Sequence, residues 1–197
     1  ERFFVSLELV LLTLFVSLCL SIPLGIVAAL NKNSAVDYFS MGVGITGVSV
    51  PTFFSGVVFI AVFAVGLSWF PVSGYVAPTE DLVENLRHMA LPTLTMTLVA
   101  VAVAMRMMRS SMIETMGEEY IRFLKAKGLR SRSILFGHAL KNSFIPVITV
   151  IGLQFGYMLS GAVVVEQIFA IPGLGRTVLQ AVLQRDYPLV QGSVLLL

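Results

Sequence analysis

Charged residues and cysteine are scarce in this sequence. Only 12% of its 197 residues are charged and 57% are hydrophobic, whereas soluble domains usually carry about a quarter charged residues. A water-soluble fold of this length could not hide so much apolar surface, so the composition predicts that a lipid bilayer is the solvent. The one cysteine, Cys19, lies inside an apolar run and can form neither an internal disulfide nor a metal cluster.

Motifs for catalysis and nucleotide binding are also missing. No GxxxxGK[ST] loop occurs, so we do not expect the chain to hydrolyse nucleotide. An intramembrane serine protease would need a serine facing a basic partner, and Ser160 has no visible partner in the sequence pattern. The two histidines, His88 and His138, lie at loop or helix ends. We therefore predict no catalytic, cofactor-binding or metal-binding residue, and an intramembrane enzyme stays an alternative that Ser160→Ala would test.

Apolar runs dominate the chain. Four are long enough to cross a membrane, at about residues 9–30, 41–67, 89–108 and 144–165. A fifth starts near residue 189 and is cut short, so we expect residues to be missing from both ends of one transmembrane domain covering 1–197. Alternation with a period of two is absent, and backbone groups in lipid must be bonded internally. The sequence therefore predicts an all-α, polytopic transmembrane helical bundle.

Ionisable residues are absent from the depth of the complete apolar runs, with Arg106 close to the end of the third. Proton and sodium relays usually place such a group at depth, which argues against a proton-driven carrier. Met105, Met107 and Met108 lie together and are interpreted as core residues rather than as a metal site.

Basic residues are concentrated between the third and fourth runs. From Arg106 to Asn142 there are eight basic and three acidic residues, against a net charge of +2 for the whole chain. Loops rich in lysine and arginine stay on the cytoplasmic side, so loop 109–142 is predicted to be cytoplasmic. Loop 69–87 carries three acidic residues and one arginine and is predicted to face outside, as is segment 166–186.

The basic loop contains residues that typically begin and end helices, and they predict two short helices. Gly128 is predicted to cap the first at its C-terminus, and Ser131 to cap a second that places Ile134, Leu135 and His138 on one side. On the residues alone, resting on anionic lipid and docking onto a protein partner are equally favoured.

One family resemblance decides between these two interpretations. The segment YIRFLKAKG at residues 120–128, followed by HALKN at 138–142 and Ile145-Pro146, resembles the EAA loop of bacterial ABC-importer permeases. The version is similar to that of the dipeptide/oligopeptide/nickel permease family. Further segments resemble the same family, namely 22–25, 47–51, 152–156, 161–166, 172–176 and 185–188.

The resemblance implies a MetI-like permease of an ABC type I importer with a short cytoplasmic coupling helix. The residues that would couple to an ATPase are Glu119, Tyr120, Arg122, Phe123, Leu124, Lys125, Ala126, Lys127 and Gly128. The wider superfamily has Glu-Ala-Ala where this chain has Arg122-Phe123-Leu124, so Phe123 and Leu124 are bulkier than the pattern. Their size puts the fit to a standard ATPase groove in question.

The resemblance also implies the partners and the location. The chain would form a heterodimer with a homologous second permease and bind two cytoplasmic ATPase subunits, which would hold the ATP. An external substrate-binding protein would lie near segment 166–186. The complex would sit among the lipids of the bacterial cytoplasmic (inner) membrane as a multi-pass protein, and no nucleic acid is expected.

The cargo and the gate stay open at this point. Half of a translocation pathway for di- or oligopeptides is the favoured function. Nickel or a metal chelate is the alternative cargo, and a non-transporting membrane anchor or receptor subunit is the alternative of another class. Pro51, followed by Phe53 and Phe54, is a candidate gate or a simple packing kink in the second run.

Overall fold

Every regular element in the part of the chain that the computed structural model describes, residues 2–195, is helical. The elements are α1 (Arg2–Leu30), α2 (Ala35–Ser49), α3 (Thr52–Phe59), α4 (Leu82–Gly117), α5 (Glu119–Ala126), α6 (Ser131–Ile134), α7 (Leu140–Ile168), α8 (Leu174–Gln184) and α9 (Tyr187–Val194). Wider π-helical turns extend α3 through Ile60–Gly66 and join α6 to α7 through Leu135–Ala139. The predicted all-α membrane class is confirmed.

Among residues 2–195, three helical stretches are long and apolar enough to cross a bilayer: Arg2–Leu30, Leu82–Gly117 and Ser131–Ile168. They contain the predicted runs 9–30, 89–108 and 144–165, and each extends beyond its run at one end or both. Because α4 continues to Gly117 and helix resumes at Glu119, the predicted loop 109–142 is mostly helical. Several such stretches in one chain make it a multi-pass membrane protein.

The predicted run 41–67 is interrupted rather than continuous. Helix α2 ends at Ser49 and α3 begins at Thr52, so the two together make at most one broken span. Pro51 precedes the first residue of α3, and its carbonyl accepts the N–H groups of Phe54 and Ser55 at 3.0 and 3.1 Å. Proline has no N–H with which to extend α2, and it disfavours helical geometry in the residue before it. A full break of the helix therefore lies at Pro51, where the sequence predicted either a gate or a packing kink.

The predicted fifth run, from about residue 189, falls in α9, which starts at Tyr187. Asp186 caps this helix, because its side chain accepts the N–H of Leu189 at 3.2 Å. The last two residues of the run, 196 and 197, lie outside the described residues.

The chain forms two compact units. The first comprises the N-terminal residues up to Val16, Val50–Val99 and the residues from Phe155 onward; the second comprises Ser17–Ser49 and Ala100–Gln154.

A buried carboxylate organises part of the first unit. Glu166 is fully buried near the end of α7, where Ser6 donates its hydroxyl to Oε1 and the Arg176 N–H donates to Oε2 at 2.8 Å. Ser6 Oγ in turn accepts the Leu174 N–H at 2.8 Å. The N–H groups of Leu174 and Arg176 belong to the first turn of α8, where N–H groups have no partners within the helix. Glu166 and Ser6 therefore cap α8, and segment 166–186 contains a helix.

Close approach at Gly173 makes this cap possible. A Cβ atom at this position would collide with the carboxyl group of Glu166. At Gly175 a Cβ would lie 2.5 Å from Cγ2 of Val163. The two glycines thus let the turn before α8 lie directly against α7.

A second polar network in the first unit ties the 67–81 segment to α1. Tyr75 donates its hydroxyl to Oε2 of Glu8 at 2.8 Å, and Asn85 donates to Oε1 of Glu8 and to the Val76 carbonyl, each at 2.8 Å. Burial, reinforced by the bond to Glu8, raises the pKa of Tyr75 to about 12. The phenol is therefore protonated, and a donor, throughout the neutral range.

The second unit has an apolar core that joins α4, α5, α6 and α7. Its fully buried members are Met108, Met112, Ile121, Ile134, Ala139 and Val147. Met105 is buried as well, which agrees with the interpretation of the methionines as core residues. Their unbranched side chains fill the irregular space between helices.

The first prediction concerns the cap of α8. Gly173→Ala should lower the free energy of unfolding of the full-length protein in detergent by about 2 kcal/mol or more, and its melting temperature with it. The reason is that the added methyl displaces a buried, hydrogen-bonded carboxylate. Gly161→Ala in α7 is the control, since a Cβ there meets no atom within 4 Å. Equal melting temperatures for the two variants would contradict the cap.

Candidate functional site: the α5 surface

Helix α5 follows α4 after a single-residue break. Glu118 has extended geometry, with φ −63° and ψ 150°, and no side chain caps the start of α5. The backbone makes the connection instead: the Glu118 N–H bonds the Thr115 carbonyl at 3.2 Å, and the Glu118 carbonyl accepts the N–H of Ile121 at 3.2 Å. The short connection sets the direction of α5 relative to the last turns of α4.

Gly128 ends α5 as the sequence predicted. Its φ of +79° lies in the left-handed region that favours glycine. The Gly128 N–H bonds the Lys125 carbonyl at 3.0 Å, and the Leu129 N–H bonds the Leu124 carbonyl at 3.3 Å. This pair of bonds is a Schellman motif, which satisfies the last carbonyls of a helix.

One side of α5 is anchored in the core of the second unit. Ile121 is fully buried there, and Tyr120 and Leu124 pack against the same cluster. The Tyr120 hydroxyl also accepts a hydrogen bond from Nδ2 of Asn142 at 2.9 Å. The bulk of Leu124, unexpected in the sequence pattern, is therefore explained by its packing against the core.

The other side of α5 is exposed and basic. Phe123 is 58% exposed, and Nζ of Lys127 lies 4.6 Å from the centroid of its ring, in cation–π geometry. The remaining predicted coupling residues on this side are Glu119, Arg122, Lys125 and Ala126. We call five of these residues the α5 surface: Arg122, Phe123, Lys125, Ala126 and Lys127. This surface has one large apolar side chain among three cations.

The second short helix differs from its prediction in one respect. Ser131 is the first residue of α6 and does not cap it; Arg130 precedes the helix, and no side chain bonds its first N–H groups. Ile134 is buried as expected, whereas His138 is exposed. Because α6 has only four residues and passes into a π-helical turn, α-helical spacing does not hold between Ile134 and His138.

Buried Asp37 and partly buried Arg109 form an ion pair to which the sequence analysis assigned no role. Asp37 is only 2% exposed; Nε of Arg109 donates to Oδ1 at 2.5 Å and Nη2 donates to Oδ2 at 2.6 Å. The Asn33 N–H adds a third bond to the carboxylate at 2.9 Å. The two residues are 72 positions apart, so neither spacing nor local charge could pair them. The only signal was an acid and a base at the edges of apolar runs.

The residues of the candidate gate lie around the helix break. Pro51 separates the two helices, and Phe53 and Phe54 on the first turn of α3 are both exposed. The next residues, Ser55 and Gly56, are buried. Exposed aromatic rings beside a break are compatible with either a gate or simple packing, so the gate stays a prediction.

Two other observations bear on chemistry. Within residues 2–195, no group of three or more His, Cys, Asp or Glu side chains could hold a metal ion. Ser160 donates its hydroxyl to the Gly156 carbonyl of its own helix at 3.4 Å.

Comparison with known proteins identifies the family. The model of the family described as "Binding-protein-dependent transport system inner membrane component" matches residues 21–197. The chain belongs to this family.

Curated members of this transport family resemble the chain along nearly its whole length. It is 39% identical to the dipeptide transport system permease protein DppB of Escherichia coli K12 over 99% of the chain and 64% of that protein. It is 41% identical to a putative peptide transport system permease protein of Brucella suis over 100% of the chain and 63% of that protein. It is 37% identical to the di/tripeptide transport system permease protein DppB of Pseudomonas aeruginosa over 97% of the chain and 63% of that protein. The chain therefore spans a little under two thirds of the length of these relatives.

The second prediction isolates the left-handed turn. Gly128→Ala should destabilise the C-terminal turn of α5 by about 1 kcal/mol, because alanine is strained at positive φ. Faster hydrogen exchange at the amides of Lys127, Gly128 and Leu129 would show this fraying. Gly117→Ala is the matched control: a Cβ at either glycine meets no atom within 4 Å, but only Gly128 has positive φ. Similar exchange in both variants would exclude a conformational role for Gly128.

Proposed function

We propose that the chain is the permease subunit of an ATP-driven importer of short peptides and forms half of its translocation pathway. Helix α5 is proposed to dock onto a cytoplasmic ATPase subunit. A homologous second permease would complete the pathway in the bacterial inner membrane, a second ATPase would bind that permease, and an external binding protein would deliver the cargo. The chain itself carries out no catalysis in this proposal, and its partners bind the ATP.

The two-sided packing of α5 is the observation that carries the proposal. Ile121 is fully buried in the core shared by α4, α6 and α7, and burial of such a side chain contributes about 1.5–3 kcal/mol. The opposite side offers Phe123 to solvent. A helix that is fixed on one side and open on the other can pass a partner's displacement to the helices behind it.

The α5 surface has the composition of a protein interface. Binding energy is concentrated in a few aromatic and arginine anchors, surrounded by a rim of charged residues that sets orientation and specificity. Phe123 supplies the apolar anchor, and Arg122, Lys125 and Lys127 supply a positive rim. The lysine over the ring leaves most of the aromatic side chain free. A cleft with an apolar floor and acidic edges fits this surface.

The same geometry supports a mechanism of gating. ATP-driven closure of the ATPase pair would displace both docked helices. Because α5 shares its core with α4 and α7, the displacement would move these helices as packed bodies between two arrangements. The ATPase supplies the difference in free energy, since it binds one arrangement of α5 better than the other.

Peptide cargo is proposed from the relatives. The three described above are named as dipeptide, peptide and di/tripeptide transport system permeases. Nothing in the described residues selects one peptide over another, and an external binding protein would perform that selection.

The third prediction tests docking. In the full-length complex, Phe123→Ala should weaken association of the ATPase with the permease by about 30-fold, the effect of losing an interface anchor. Association can be measured by titrating labelled ATPase onto permease in nanodiscs. Uptake of radiolabelled alanyl-alanine into proteoliposomes should fall with it, while insertion into the membrane is unchanged.

Phe136→Ala is the control for this experiment. Phe136 is 64% exposed and lies in the nearby π-helical turn, outside α5. It should leave association and uptake within about twofold of the parent protein, the range of a surface substitution. Unchanged ATPase association in Phe123→Ala would refute docking through α5. Uptake of nickel but not of alanyl-alanine by the parent complex would replace peptide with metal as the cargo.

A further inference from the structure

We propose that Asp37 and Arg109 are a positioning pair that makes α2 move together with α4 during transport. The inference rests on the proposed function, because it names the contact by which a displacement of α5 reaches a further helix. Neither residue lies on the α5 surface.

The geometry of the pair fixes orientation as well as distance. Both guanidinium donors engage separate carboxylate oxygens, at 2.5 and 2.6 Å. The Asn33 N–H holds Oδ2 from the other side at 2.9 Å, in a turn where Asn33 itself has a φ of +64°. A two-point contact between planar groups resists rotation and sliding, which a contact between apolar side chains tolerates.

Helix α2 has little else to hold it. Its buried residues are Asp37, Ser40 and Gly44, so no large apolar side chain on α2 is buried. Six of its large hydrophobic residues are instead exposed, namely Val36, Tyr38, Phe39, Val43, Ile45 and Val48, while Met41 is partly buried. Gly44 adds one close approach, since a Cβ there would lie 3.1 Å from Cε of Met105 on α4. Within the second unit, the ion pair is therefore the main directional contact between α2 and α4.

Arg109 also lies on the part of α4 that packs in one cluster with the α5 anchor. Met108 precedes it, Met112 follows one turn later, and both belong to the core cluster that contains Ile121 of α5. Any displacement of α5 that shifts this part of α4 must shift Arg109 with it. The chain of contacts thus runs from Ile121 through the methionines to Arg109, and from Arg109 to Asp37.

An ion pair whose carboxylate is buried and whose guanidinium is mostly buried is poorly explained by stability alone. Apolar residues of similar volume often stabilise a protein equally well, whereas a buried pair specifies one arrangement. Coupling through such a contact must be demonstrated by a measured interaction between its members, because proximity is not sufficient.

The test uses the full-length permease assembled with its second permease, both ATPases and the external binding protein in proteoliposomes. Radiolabelled alanyl-alanine is the transport probe, and ATP hydrolysis is measured in the same vesicles. In Asp37→Asn and in Arg109→Gln, uptake per ATP hydrolysed should fall about fivefold or more, the usual lower range of an allosteric coupling. The charge-reversed double variant, Asp37→Arg with Arg109→Asp, should recover at least half of the lost ratio.

Two controls separate coupling from folding and from charge. Arg106→Gln removes a cation from the same helix, where its Nε bonds the Ala102 carbonyl of its own helix at 3.1 Å. The double variant Glu84→Gln with Arg87→Gln removes the exposed pair, which is 3.3 Å apart. Both should keep the parent ratio. The amount of assembled complex, measured by size-exclusion chromatography, corrects every value for folding.

Three results would overturn the proposal. The first is an unchanged ratio in both single variants, and the second is a loss of uptake fully accounted for by less assembled complex. The third is a charge-reversed variant no better than the single ones, which would assign the loss to general perturbation. Failure of the proposed function would be recognised separately, by Phe123→Ala leaving ATPase association intact or by absence of uptake in the parent complex.

Discussion

The bilayer offers no hydrogen bonds, so each polar group at membrane depth must find its partner inside the protein. The two buried carboxylates lie just outside the predicted apolar runs, and they too have their partners inside the protein. The carboxylate of Glu166 accepts hydrogen bonds from the first turn of α8 and from the hydroxyl of Ser6. The carboxylate of Asp37 accepts hydrogen bonds from Arg109 and from the Asn33 N–H. In both cases the acid bonds donors from more than one segment of the chain. Directional polar bonds define the geometry where apolar packing cannot, because in lipid there is no hydrophobic penalty for an exposed apolar side chain.

Helix α5 is held by apolar packing instead of buried polar bonds. It lies in the polar, basic part of the chain. Its attachment depends on Ile121 in a core of methionine and aliphatic side chains, and its ends depend on backbone geometry at Glu118 and Gly128. The residues of the α5 surface lie outside this core and are exposed. An exposed aromatic ring among three cations is typical of a site that binds a partner.

Several features of this fold could be predicted from residue patterns. Hydropathy predicted the helical class and three of the spans, because their apolar runs exceed the thickness of the hydrocarbon core. Gly128 predicted the end of α5, since glycine is favoured at positive φ. The break at Pro51 was underestimated as a kink, because the severity of a proline interruption depends on packing that the local sequence does not contain. The cap of α8 and the Asp37–Arg109 pair could not be predicted at all, since each joins residues far apart in sequence whose approach is set by the tertiary fold.

Two unexpected bulky residues lie in the segment that is proposed to couple to an ATPase, and their roles differ in the same way. In the sequence, Phe123 and Leu124 looked like one departure from the Glu-Ala-Ala pattern, and both seemed to threaten the fit to an ATPase. In the structure they have different surroundings, since Leu124 packs against the core and Phe123 points away from it. Adjacent residues on a helix are about 100° apart around the axis, so one can serve the fold while its neighbour serves a partner. Of these two residues, only Phe123 therefore bears on the fit to the proposed partner. If a partner's cleft accepts this ring, a permease with alanine at the same position would leave the cleft unfilled and lose contacts. If a cleft is instead built for alanine, this chain would overfill it and force it to deform. The second mismatch costs more binding free energy than the first.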